Sequence, residues 1–340
     1  MPLVNNSDEL IFVLEKISGA VSFPEEEKVI PFLEKSVTAL ENENVIFRKP
    51  ASDKKCGGLL DFTKLNLPVI LVPDLHGRFD FFLSILKYVP DFSRKKSVAS
   101  LIENKEAVLL CVGDSVHSEK RGAERWLNAL DDYEKGNILN DYLKEEMLEN
   151  LKTLFFIMLT KNTFSDSFYF LKGNHENILN ENTDGNYAFY KYALESEMTN
   201  RFVKEFYSDA VLHLLSEWEK NLPVCAAFKS FCVSHAEPAH FFKKKQIVNF
   251  RGNDELIKSF TWTENDAADK NTVPRIFHEL TGLSEKDALW FSGHRPVRGK
   301  FYYRQEGHLI QFHNPCETNI ALILPDKKFN PEEDIVSVKV

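Results

Sequence analysis

Phe170-Leu171-Lys172-Gly173-Asn174-His175-Glu176 is the stretch from which the fold can be read. Phe168 to Leu171 is a short apolar run, the signature of a buried strand. It ends in a sharp turn at Gly173. Asn174 then offers a neutral carbonyl oxygen, and His175 beside it an imidazole that changes charge near neutral pH. Loops often collect such residues, so the motif gains meaning only from its company. Four further strand-then-turn segments in this chain end in Asp, His or both.

Toward the amino terminus, Ala107 to Val112 is a continuous apolar run ending in Gly113-Asp114-Ser115. Before it, Pro68-Val69-Ile70-Leu71-Val72 has the pattern of a strand buried on both faces and ends in Pro73-Asp74-Leu75-His76-Gly77-Arg78. Asp74 and His76 are two apart, so an extended backbone points them to one side. Gly77 lets the chain turn into a helix over Phe79 to Tyr88. Toward the carboxyl terminus, Asn221 to Phe228 and Ser230 to His235 read as a hairpin whose second strand His235 caps. Ala288 to Ser292 runs into Gly293-His294-Arg295-Pro296. Two more strands, His308 to Phe312 and Thr318 to Leu324, close the domain.

Helices fill the intervals. Ala123 to about Leu159 is mainly helical, and Leu143, Met147, Leu151, Leu154 and Met158 form a stripe read as core packing. Residues 187–219 read as one or two helices, with His213 on an apolar face. Residues 1–66 read as a helical extension. Leu10, Val13 and Leu14 recur at helical spacing, and a capping box over Ser22 to Glu25, with Pro24 in the first turn, should start a second helix through Leu33, Val37 and Leu40. Residues 67–325 form the chemical domain, with an insertion at about 115–170, and 326–340 a tail.

The chain has 340 residues, 43% hydrophobic and 12% aromatic, enough for a full core. A net charge of -9 argues against nucleic acid as the main partner. Five cysteines without a C-x-x-C pair suit a reducing compartment. The amino terminus lacks a basic region and a cleavage site, and no apolar run is long enough to span a bilayer. The expectation is a cytoplasmic protein with no membrane partner. The oligomeric state stays open.

Asp74, His76, Asp114, Asn174, His235 and His294 all lie at or just past the carboxyl ends of apolar strands, where open α/β sheets place their ligands. An N/O set with a carboxylate to share suits two divalent ions held close together, with zinc, iron or manganese fitting better than calcium or magnesium.

Asp74-x-His76-Gly77, Gly113-Asp114, Gly173-Asn174-His175-Glu176, His235 and His294 together resemble the calcineurin-like metallophosphoesterases. Within them the phosphoprotein phosphatase branch, which includes Ser/Thr protein phosphatases and symmetrical dinucleoside tetraphosphatases, is most similar. Leu222-Pro223 through His235-Ala236-Glu237, Trp262-Thr263-Glu264 and Leu309 to Cys316 resemble further segments of that branch. The likeness runs in order over about 67–325.

The resemblance implies an α/β (α+β) four-layer sandwich: two mixed β-sheets flanked by helices, with metals at the strand carboxyl ends. It implies a first metal on Asp74, His76 and Asp114 and a second on Asp114, Asn174, His235 and His294, with Asp114 bridging. His175 would protonate the leaving oxygen. The family's Gly-Asp-x-x-Asp-Arg-Gly is altered here to Gly113-Asp114-Ser115-Val116-His117-Ser118-Glu119-Lys120-Arg121-Gly122. The aspartate that orients the catalytic histidine is replaced by His117 or displaced, and Glu119 is a substitute. Arg121, the arginine before Gly122 in this loop, is the first candidate for the phosphate clamp, and Arg275 and Arg295 are further candidates. His313 sits in a loop that, by the resemblance, approaches the site.

The function expected is hydrolysis of phosphomonoesters by metal-activated hydroxide, with a phosphorylated protein as the favoured substrate. The alternatives are a dinucleoside polyphosphate hydrolase, whose closed pocket the 115–170 insertion would supply, and an inactive metal-binding scaffold.

Overall fold

Two mixed sheets stand face to face between layers of helices in the computed structural model, which describes residues 4–340. The chain opens with α1 (Ser7–Ser18), α2 (Glu26–Glu41), β1 (Leu59–Phe62), β2 (Val69–Val72), α3 (Phe79–Lys87) and α4 (Val98–Glu103). Next come β3 (Val108–Cys111), α5 (Ala123–Glu134), α6 (Asp141–Thr163), β4 (Phe168–Phe170), α7 (Glu195–Phe206) and α8 (Asp209–Lys220). The β5 (Cys225–Phe228) and β6 (Cys232–Ser234) hairpin leads to α9 (Lys244–Val248), α10 (Asp254–Thr261) and α11 (Thr272–Thr281). The chain ends with β7 (Trp290–Ser292), β8 (Tyr302–Arg304), β9 (Leu309–Gln311), β10 (Asn319–Ile323), α12 (Pro331–Asp334) and β11 (Ile335–Ser337).

One sheet has the order β11-β10-β2-β3-β4 and the other β1-β5-β6-β7-β9-β8. In the first, β2, β3 and β4 run parallel. In the second, β6, β7 and β9 run parallel. Parallel strands need both faces covered. Their side chains alternate, so Val69 and Leu71 of β2 enter the space between the sheets while Ile70 and Val72 meet the helical layer. Leu60, Phe62, Leu110, Tyr169, Phe228 and Phe291 fill the same inter-sheet core. The outer face of the second sheet packs Cys225, Cys232 and Trp290 against α10 and α11 through Phe260 and Phe277. This is the four-layer arrangement expected.

Several local expectations change. The capping box at Ser22 does not form. The helix begins at Glu26, and Glu25 makes no side-chain cap. Pro24 O instead accepts from Tyr207 Oη at 3.1 Å, which fixes the lead-in against the end of α7. The stretch 1–66, read as helical, also supplies β1, parallel to β5, with Leu60 and Phe62 buried. The segment 326–340, read as a tail, carries α12 and β11, antiparallel to β10. His213 is exposed on α8, because Val211, Leu212, Leu215 and Trp218 take the buried stripe.

A buried ionic cluster ties the amino-terminal segment to the rest. Glu43 meets Arg48 at 2.6 Å and also pairs with Lys161 of α6. Arg48 Nε donates to Gly57 O at 2.6 Å and its Nη2 to Asn221 O at 2.5 Å. Burial opposes charge on Glu43, but Lys161 and Arg48 outweigh it and hold the carboxyl below its usual range. Glu43→Gln leaves two buried cations without their anion. It is expected to destabilise the protein by about 3–5 kcal/mol, read as a lowered urea midpoint at pH 7. A midpoint unchanged from wild type would show that the cluster does not anchor the segment.

Candidate active site

Six loops reach one end of the two sheets because each follows the carboxyl end of a parallel strand. The loops after β2, β3 and β4 bring Asp74 and His76, Asp114, and Asn174 with His175. Those after β6, β7 and β9 bring His235, His294 and His313. Backbone bonds lock them together: Leu75 and His76 N–H donate to Asp114 O at 3.0 and 2.9 Å, and Gly293 N–H to His235 O at 2.9 Å. His76, Asp114, His117 and His294 all have positive φ, at 46°, 53°, 66° and 61°. Such non-glycine strain costs about 1–3 kcal/mol each and clusters where geometry serves function. Gly173 and Gly293 permit the close approach, since a Cβ on either would collide with the carboxylate of Asp114 or Asp74.

Asp114 is the centre. Its Oδ2 lies 3.3 Å from His235 Nε2, 3.6 Å from His76 Nε2 and 3.8 Å from His175 Nε2. Its Oδ1 accepts the His175 backbone N–H at 3.0 Å. Asn174 Oδ1 stands 2.9 Å from His235 Nε2 and 2.8 Å from His294 Nδ1. Asp74 lies 3.9 Å from His76 Nε2, from His235 Nδ1 and from His313 Nδ1. All six ligands expected from the sequence are therefore together.

Three groups of buried side chains have metal-ligand spacing: Asp74, His76 and His313; His76, Asp114 and His175; and Asp74, Asp114 and His235. Asp74 Oδ1, His294 Nε2 and His313 Nδ1 are buried polar atoms with no hydrogen-bond partner. Buried polar atoms are nearly always satisfied. Orphans ringed by carboxylates and imidazoles are what a cation-binding centre leaves, so the residues present fit divalent metals.

Burial disfavours charge on Asp114, yet His235, His175 and His76 around it hold its carboxyl well below the usual range. Burial brings His294 down to about 3 and His117 to about 4, so both are neutral donors. At His235 burial is outweighed by Asp114 and Asp74, which push it up to about 9. An incoming cation would displace that proton.

The altered loop after Asp114 has a definite arrangement. His117 Nδ1 faces His175 Nδ1 at 2.8 Å, and His117 Nε2 lies 3.2 Å from Thr199 Oγ1. Glu119 does not reach His175; its Oε2 is 3.1 Å from His313 Nε2. Buried Glu146 of α6 holds the loop by accepting from the Ser118 N–H at 2.8 Å and its Oγ at 2.6 Å. Glu176 fixes the neighbouring turn, accepting from the N–H groups of Gly173, Asp114 and Ser115 at 2.7, 3.0 and 2.8 Å.

The three arginines separate. Arg121 pairs with Glu149, and its Nη2 donates to His76 O at 2.7 Å. Arg275 is exposed on α11, with its guanidinium 4.5 Å over the Phe241 ring. Arg295 lines a cavity of about 420 Å³ beside the cluster, pairs with Glu264, and keeps a buried Nε without a partner. The same cavity is bordered by His76, Asn174, His175 and His294, and by Phe189, Tyr190, Lys191, Tyr192 and Trp262. That aromatic wall comes from residues 188–192 and Trp262, whereas the 115–170 stretch adds His117, Ser118 and Glu119. No sequence signal singled out 188–192, since aromatic residues in a loop have many uses.

The sequence profile of the calcineurin-like phosphoesterases matches residues 67–322. The chain belongs to that family. It is a metal-dependent phosphatase, a hydrolase of phosphoric esters, from a family that works with paired metal ions. No curated protein matches it by sequence. Among solved structures it is similar to a protein serine/threonine phosphatase of Saccharomyces cerevisiae related to human phosphatase PP5, with TM-score 0.62 and 13% identity over 97% of this chain and 95% of that one. Two others align less well. A cold-active protein-tyrosine phosphatase of a psychrophilic Shewanella gives TM-score 0.43 and 13% identity over 76% of each chain. A protein assigned as a diadenosine tetraphosphatase gives 0.41 and 15% over 83% of this chain and 97% of that one. Among the described residues no helix is long and apolar enough to cross a membrane.

Proposed function

We propose that this phosphatase removes phosphoryl groups from serine or threonine side chains of proteins. The observation that carries the reading is the cluster of six proposed ligands beside a cavity that His76, Asn174, His294 and His175 line together with exposed Tyr190. A rim of that kind admits a phosphorylated side chain on a larger chain. The name of the yeast neighbour points the same way. Asp74, His76 and Asp114 would hold one ion, and Asp114, Asn174, His235 and His294 the other, with manganese, iron or zinc matching the donors. When bound, such a pair supplies Lewis acidity to the phosphoryl oxygens and a nucleophile at neutral pH. His175, turned toward Asp114, hands a proton to the leaving oxygen. The free thiols of buried Cys56, Cys111, Cys225 and Cys232 suit the cytoplasm.

A second reading rests on the aromatic wall. Phe189, Tyr190, Tyr192 and Trp262 beside Lys191 and Arg295 are groups that would stack a base and meet a polyphosphate. A manganese-supplemented assay of phosphopeptides, p-nitrophenyl phosphate and a dinucleoside tetraphosphate separates the two. Phosphopeptides are expected to show kcat/KM at least about tenfold above the dinucleotide, a difference of ~1.4 kcal/mol in barrier. The reverse order would transfer the activity to nucleotides.

Arg295 is the proposed clamp on the phosphoryl oxygens, because it borders the cavity and keeps a free Nε beside its pair with Glu264, whereas neither Arg121 nor Arg275 lines that cavity. Arginine grips two oxygens at once, and lysine cannot. Arg295→Ala should lower kcat/KM about 10²-fold and weaken inhibition by inorganic phosphate in parallel. Values within about twofold of wild type, under ~0.5 kcal/mol, would mean that the clamp lies elsewhere.

A further inference from the structure

We propose that His313 is a fourth protein ligand, through Nδ1, of the divalent ion held by Asp74, His76 and Asp114, and that Glu119 fixes its ring for that task. The inference rests on the two-ion reading above and adds a residue that the six-ligand set does not contain.

His313 follows β9 and is wholly buried, 0% exposed. Its Nδ1 has no hydrogen-bond partner. The nearest carboxylate oxygen, Asp74 Oδ2, is 3.9 Å away, too far for a hydrogen bond. The separation does suit two donors on one ion. Donors each about 2.0–2.2 Å from a zinc-sized ion stand at most about 4.3 Å apart. Asp74 and His76 show the same 3.9 Å spacing, and the ring centroids of His76 and His313 are 5.4 Å apart. Asp74, His76 and His313 therefore enclose one point from three sides.

The other ring nitrogen settles the tautomer. His313 Nε2 lies 3.1 Å from Glu119 Oε2. A carboxylate can only accept, so Nε2 carries the proton of the neutral ring, whose Nδ1 lone pair then faces Asp74. A metal-binding imidazole held at its far nitrogen by a carboxylate is the usual way of fixing such a ligand. A histidine serving only to fill the core would need a partner for Nδ1, and the site provides none. Glu119 thereby acquires a role: it lies in the loop whose sequence departs from the family, and it serves His313 rather than His175.

The test uses the full chain. Loaded with ¹¹³Cd²⁺ and labelled with ¹⁵N-histidine, it should show four imidazoles coupled to cadmium: His76, His235, His294 and His313. Two ions bound with only three coupled imidazoles would overturn the proposal and leave the two-ion reading standing. Fewer than two ions on the wild-type chain would overturn both. By Mn²⁺ calorimetry, His313→Ala should weaken one ion at least tenfold and leave the other within about threefold, and Glu119→Gln should weaken the same ion about tenfold. Wild-type affinity for both ions in His313→Ala would overturn it. Should that variant fail to fold, the cadmium count on the wild-type chain still decides.

Discussion

Asp114→Asn is expected to lower turnover by at least about 10³-fold, ~4 kcal/mol of barrier, and to weaken both metal sites together. Its carboxylate lies between the two proposed sets of ligands. Its Oδ2 is 3.3 Å from His235 Nε2 on the side of Asn174 and 3.6 Å from His76 Nε2 on the side of Asp74. Burial is tolerated at this carboxylate because three histidines face it. Asparagine keeps the shape and can still accept the His175 backbone N–H, so the loop should hold. What it loses is the negative charge that both sites share, and its amide can turn two hydrogens toward donors that need an acceptor. Metal content after manganese loading, measured beside the rate, checks the assignment. A wild-type rate with both metals at full occupancy would show that Asp114 is not the bridge.

That these six side chains come together was legible because each signal was local. An apolar run followed by a polar turn marks the carboxyl end of a buried strand, and Asp74, Asp114, Asn174, His235 and His294 all follow that rule. The parallel triplets β2-β3-β4 and β6-β7-β9 turn the local rule into a common site. What was illegible depended on distant partners. β1 pairs with β5, far along the chain, and nothing in Leu59–Phe62 distinguishes it from a linker. β8 is a three-residue edge strand with exposed Tyr302 and Tyr303, so it lacks alternating burial. The placement of His117 against His175 needs a left-handed residue at 117 and the grip of Glu146 from another helix. Spacing alone left His117 and Glu119 as rivals, and only the folded loop assigns them to different histidines. His313 carried only the hint of its loop, because its role depends on a nitrogen that finds no partner.

His175→Asn is expected to lower kcat by about 10²–10⁴-fold, the usual contribution of a general acid, with metal content unchanged. The substitution spares the backbone N–H bond to Asp114 Oδ1, and His175 is not in the six-ligand set. The ring itself is well placed: it lines the cavity with Nε2 3.8 Å from Asp114 Oδ2, and Phe189 covers it with ring centroids 4.1 Å apart. Its proton is managed by an imidazole where the family has a carboxylate. The facing Nδ1 atoms of His117 and His175 share one proton. To release an Nε2 proton to the leaving oxygen His175 must be the imidazolium: its Nδ1–H then donates to His117 Nδ1, His117 Nε2–H donates to Thr199 Oγ1, and His175 ends as a neutral imidazole. Burial keeps His117 neutral, so it orients His175 without adding charge. His117→Ala should therefore lower kcat less than His175→Asn does, with KM little changed. Both losses should shrink for p-nitrophenyl phosphate, whose leaving group needs little help, and be full for phosphoserine peptides. Equal losses with good and poor leaving groups would remove His175 from proton transfer and leave the His117 contact as packing.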